Sequence, residues 1–92
     1  MASLSLPSTL TNAEANACLQ QLLAGLAQVP AGGEAVVDAS ALAVLDSSAL
    51  AVLLECRRAA VFENRGFVVK ALPPALSSLA GLYGVQELLP AL

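Results

Sequence analysis

The chain has no histidine and no tryptophan, and its aromatic residues amount to two phenylalanines and one tyrosine. The missing imidazole removes the commonest general base and the commonest metal ligand. A serine nucleophile would lack its usual activating partner. Positive charge is also scarce: Arg57, Arg58, Arg65 and Lys70 are the four basic residues, and the net charge is −3. They form no stripe interleaved with aromatics, which argues against nucleic-acid binding. The two cysteines, Cys18 and Cys56, have no CxxC spacing, and read as reduced, partly buried thiols rather than a redox or metal motif. No glycine-rich loop precedes a lysine in the way a phosphate site requires. Asp38 and Asp46 could be paired for acid–base work, but both fall at strand or helix ends, where aspartate is ordinary turn and cap chemistry. Lys70 reads as a solvated edge residue. No apolar run approaches the ~18 residues of a membrane span, and the opening "MASLSLPSTL" lacks the basic and apolar regions of a secretory signal. The expectation is a cytoplasmic protein that is not an enzyme and uses neither cofactor nor metal.

What the chain has in excess is apolar surface. Its hydrophobic fraction is 58% and its charged fraction 12%, against roughly 45–50% and 25% in ordinary soluble domains. Ninety-two residues form a single domain, 1–92, able to bury ~60–70% of its unfolded surface. So few charges cover a lone small globule poorly, and excess apolar surface is usually buried in a partner.

The order of elements reads as β, α, β, α, β, α. "LSLPSTLT" is a short edge strand bent at Pro7. "TNAE" is a capping box, Thr11 capping and Glu14 reaching back. Leu19, Leu22, Leu23 and Leu26 follow at helical spacing, and "VPAGGE" turns the chain. Residues 35–39 are a strand, 47–63 a helix stopped by "RG", and 67–72 a second strand. Together they make a right-handed crossover between parallel strands. Prolines open a last helix that Gly84 closes, leaving "VQELLPAL" as a short tail.

The segment with most to explain is "VVDASALAVLDSSALAVLLECRRAA". Asp46, Ser47 and Ser48 stand at a helix start, where a side-chain oxygen caps free backbone N–H groups. A cap accounts for one side chain only; the second hydroxyl beside it is not needed. The run Ala49 to Leu54 then makes the first two turns apolar nearly all round. Such a helix is either docked to a partner or tucked deeply between its neighbours. One layer of helices on a small sheet is not expected to bury both sides, so the N-terminal end of this helix, hydroxyls included, is a candidate docking surface. On that alternative Asp46, Ser47, Ser48, Ala49, Leu50 and Val52 form a partner-binding surface, with Leu50 or Val52 exposed.

The same stretch resembles the signature of STAS domains: a strand ending in Asp, a short loop, then Asp-Ser/Thr-x-Gly-Leu opening a helix. The C-terminal "LAGLYGVQELLP" is similar to the end of the small STAS subunit of the Mla ABC complex, which moves phospholipid between bacterial membranes and maintains outer-membrane lipid asymmetry. The chain departs from the STAS pattern at Ala49, where Gly is usual, and in lacking a Gly in its first strand. The resemblance implies an α/β, STAS-like fold: a small mixed β-sheet with helices packed mainly on one face. It implies a non-catalytic accessory subunit that binds the transporter's cytoplasmic ATPase, and through it the permease and lipid-binding subunits, and so lies peripheral to the inner membrane. In that branch the Ser47 position lies at the ATPase contact. In the alternative branch, the anti-sigma-factor antagonists, the Ser48 position is phosphorylated by a partner serine kinase and the domain binds an anti-sigma factor.

Overall fold

A computed structural model describes residues 4–89. The elements are β1 (Leu4–Ser5), β2 (Thr9–Leu10), α1 (Ala15–Leu26), β3 (Glu34–Asp38), β4 (Val44–Leu45), α2 (Ser47–Phe62), β5 (Gly66–Lys70) and α3 (Pro74–Leu82), followed by a 3-10 turn at Gln86–Leu88. Three strands form one sheet in the order β1-β3-β5, and β2 pairs with β4 in a separate ribbon. Every pairing among the described residues is parallel, where a mixed sheet was expected. The reason is in the connections: α1 and α2 each carry the chain from one strand of the main sheet back to the start of the next, as a parallel crossover demands.

The register aligns Leu4 with Val37, and Val37 with Val69. That row is buried, as are Ala35 and Phe67 one step along, so a single sheet face carries the core. The alternate residues Ser5, Asp38 and Lys70 lie in register on the other face. The helices pack on the core face, with α2 between α1 and α3. From α1 come Cys18, Leu22 and Leu26; from α3 come Leu76 and Ala80. Gly25 lets α1 approach the sheet edge, because a Cβ there would collide with the Leu4 side chain.

Local chemistry departs from the expected pattern in three places. Pro7 does not merely bend one strand but separates two, and the Ser8 carbonyl beyond it accepts from Ala43 and Val44 N–H. Around the "TNAE" box, Glu14 does reach back, accepting from the Thr11 N–H at 2.8 Å, but the Thr11 hydroxyl donates to the same carboxylate at 2.7 Å. The box therefore closes a turn that precedes α1, which begins at Ala15. At the end of α2 the stop is Asn64, at φ 59, with Arg65 N–H bonded to the Ala60 carbonyl at 2.8 Å. Asparagine tolerates this left-handed cap, so the helix ends before the Arg65-Gly66 pair. Gly84, at φ 70, closes α3 as expected. Of the tail, the 3-10 turn leaves Leu89 buried; its last three residues, 90–92, lie outside the described residues.

Candidate functional site

Asp46 is where two helix starts meet. Its backbone is extended, at φ −135 and ψ −168, as an N-cap requires. One carboxylate oxygen accepts from Ser48 N–H at 2.8 Å, capping α2. The other accepts from Asn12 N–H at 3.2 Å, in the turn that leads into α1. One side chain therefore fastens the entrance of α2 to that of α1, across 34 positions of sequence. Capping was legible in the sequence; the tie to Asn12 was not, since no local pattern announces a partner so far away.

The electrostatics follow from these bonds. The Ser48 N–H, and with a smaller effect the Asn12 N–H, hold the Asp46 carboxyl below its ordinary range. Glu14 is also lowered, first by the Thr11 hydroxyl and then by the Thr11 N–H, while the negative Asp46 works in the opposite direction. Asp38 closes its own small turn, accepting from Ser40 N–H at 2.9 Å, and is lowered chiefly by that bond. Asp38 and Asp46 are thus both engaged by backbone donors and stabilised as carboxylates, the opposite of what a general acid needs. Lys70 is exposed and in register with Asp38. Among the described residues, no three His, Cys, Asp or Glu side chains gather as a metal site.

Ser47 is exposed at the first position of α2 and Ser48 is half-buried. On the same face, one turn further, Ala51 is exposed. Val44, two residues before the cap, is 55% exposed; this was not legible beforehand, because an apolar residue beside a polar loop carries no signal of its own exposure. The expected apolar surface of Leu50 and Val52 is not there. Each is only 4% exposed, and Ala49 is wholly buried. With Leu53, Cys56 and Ala60 they spread over about 160° of the helix circumference, at roughly 100° per residue. The alternative of a deeply tucked helix is the observed one: as the middle helix of three, α2 is covered from the sheet and from both flanks. Ala49, Leu50 and Val52 therefore support the site from behind, and its outer surface is Asp46, Ser47, Ser48, Ala51 and Val44.

The placement follows from topology. Strands β3 and β5 both point their C-terminal ends toward this side, and the loops leaving them lead into α2 and α3. In parallel α/β folds, that is the edge at which ligands and partners meet loops and helix N-termini. The opposite end of α2 carries Phe62, 86% exposed, beside a shallow groove shared with α1. No helix of the described residues is long and apolar enough to cross a membrane.

Comparison with known proteins agrees with this architecture. Residues 2–90 match the family model described as "Mlab, STAS domain". Among solved structures, an anti-sigma-factor antagonist (STAS) domain protein from Planctomyces limnophilus superimposes with a TM-score of 0.79 at 16% identity, covering 95% of this chain and 77% of that one. At that identity the likeness speaks for the fold. A search of curated proteins finds no match.

Proposed function

This chain belongs to the STAS-domain family, of the Mla type, and on that premise we propose that it is an accessory subunit that binds and supports the cytoplasmic ATPase of an ABC phospholipid transporter. The partner docks on the start of α2, where Ser47 and Ala51 form the outward face and Val44 adds an apolar contact. The observation that carries this reading is the position of Ser47. Ser47 is exposed at the head of a helix whose cap is already supplied by Asp46. It is thus free for a partner, and it sits where the Mla-branch resemblance places the ATPase contact. The module acts without chemistry of its own, by holding a partner surface in place. Its location is then cytoplasmic, at the inner membrane through the transporter.

A second reading keeps Ser48 as a phosphorylation site on an anti-sigma-factor antagonist. It is supported by the serine itself, and the solved relative with that description shares the fold. The geometry favours it less. Ser48 is half-buried, and its N–H is already bonded to a carboxylate that would repel a phosphate.

The two readings separate in one set of binding measurements, using the ATPase of the Mla-type transporter from the same organism. The first reading expects the parent and Ser48→Ala to bind alike and Ser47→Arg to bind at least about tenfold more weakly, a loss of ~1.4 kcal/mol. It fails if Ser47→Arg binds like the parent, or if Ser48 carries stoichiometric phosphate in cells and Ser48→Glu alone controls binding to an anti-sigma factor.

A further inference from the structure

The far end of α2 has a surface that the site at Ser47 does not use. Leu23 of α1 and Glu55, Arg58, Ala59, Phe62 and Glu63 around α2 line a shallow groove. Phe62 stands on it 86% exposed, more than any other large apolar side chain among the described residues. We propose that this groove is a low-affinity self-association surface, on which a second copy of the chain packs its own α2.

The choice of occupant rests on the charge pattern. Arg58, Ala59 and Phe62 of α2, with Glu63 at its C-cap, have the spacing of positions g, a, d and e of a heptad. When two such helices lie side by side in parallel, g of one faces e of the other, five residues further on. A two-fold axis along the pair then sets Arg58 opposite Glu63 of the second copy, and repeats that pair by symmetry. Ala59 and Phe62 meet their own counterparts in the seam, a small residue beside a large one, and Leu23 widens the apolar floor. Ala59 and Leu23 are half-buried at the floor of the groove, and the side chains around them are exposed. Arg58 is 81% exposed and, among the described residues, is held by Glu55 at 3.6 Å. Glu63 is 52% exposed, with Arg65 at 2.9 Å on its other side. The charges around the groove are thus already compensated within one chain, so a second copy meets no net repulsion. Among the described residues, the opposite end of α2 brings Glu14, Asp38 and Asp46 together with one cation, Lys70, so two copies meeting there would repel.

One heptad is a short seam, far below the area of a permanent dimer, so the association is weak and concentration-dependent. It also leaves Ser47 open, because α2 is 16 residues long, about 24 Å from end to end.

Sedimentation velocity of the full chain over a range of concentrations tests the proposal. The weight-average mass is expected to rise from 9.3 kDa toward twice that value. Phe62→Gln should abolish the rise. Arg58→Glu and Glu63→Arg should each weaken it about tenfold, since two exposed pairs change from attraction to repulsion. The double variant Arg58→Glu/Glu63→Arg should restore it. Circular dichroism and urea midpoints establish that each variant is folded before association is compared; Glu63→Gln, which removes the pair without setting a like charge against the 9% exposed Arg65 side chain, should also weaken the rise. A chain that stays monomeric up to its solubility limit overturns the proposal, as does a rise insensitive to Phe62→Gln or a double variant no better than the singles. Loss of ATPase binding by Phe62→Gln in a monomeric chain also overturns it, and assigns the groove to that partner instead. Binding of the ATPase at Ser47 is read by different variants, so either reading can fail alone.

Discussion

Replacing Val52 by aspartate should unfold this protein, whereas the same change at Ala51 should leave it folded. The two residues are neighbours on α2, yet Val52 is 4% exposed and Ala51 faces solvent. Removing a buried valine side chain forfeits about 1.5–2 kcal/mol of burial. Putting a carboxyl group in its place, with no donor to meet it, adds roughly 2–3 kcal/mol even if the group takes up a proton. The sum, about 3.5–5 kcal/mol, rivals the low end of the whole stability of a small domain, roughly 5–15 kcal/mol. At Ala51 the change reduces to helix propensity, at most about 0.7 kcal/mol. Urea unfolding followed by far-ultraviolet circular dichroism reads the difference. With a slope of about 1–2 kcal/mol/M, the Val52→Asp midpoint should fall by roughly 2–5 M, or the variant should be unfolded from the start. A Val52→Asp midpoint within about 0.5 M of the parent would refute the placement of this side chain in the core. The comparison also decides how to probe docking. Loss of binding by Val52→Asp would report unfolding, whereas loss of ATPase binding by folded Ala51→Asp would report the interface. Retention by Ala51→Asp would remove this face of α2 from it.

Two further predictions concern titration and thiol chemistry. Asp38, Asp46 and Glu14 are each held below their ordinary values of 3.8, 3.8 and 4.5. Their stabilising effect is therefore complete above those values and is lost as pH falls through the lower folded-state ones. With no histidine in the chain, denaturant midpoints should be flat between about pH 5.5 and 7.5 and decline only below about pH 4.5; a step near pH 6.5 would contradict this. Cys18 and Cys56 are buried, and burial, with a smaller effect from Cys18, raises the Cys56 thiol to about 11. A thiol reagent at pH 8 should label neither cysteine in the folded protein and both after unfolding. By the same linkage, raising pH from 9 toward 11 should favour the unfolded state, where the Cys56 thiol ionises first. Rapid labelling of native Cys56 at pH 8 would show that α2 does not shield it.

Much of the fold was decided by local pattern. Short β-type apolar runs in "EAVVD" and "GFVVK", helical spacing in Leu22 and Leu26, and the Asp46 cap each specify their element within a few residues. The helical connections then require the strands they join to be parallel. The family signature at Asp46, Ser47 and Ser48 is equally local, so the candidate site could be found before its geometry was known. Tertiary structure decided which surfaces are free. Leu50 and Val52 look the same in sequence whether a partner or a neighbouring helix covers them; only the seating of α2 between α1 and α3 shows that the chain covers them itself. The tie from Asp46 to Asn12 spans 34 positions, and the exposure of Val44 and Phe62 depends on where the packing stops. Hydrophobicity measures a residue's preference for burial, but packing in three dimensions determines how much of that preference one small chain can satisfy, and which side chains remain for another molecule to cover.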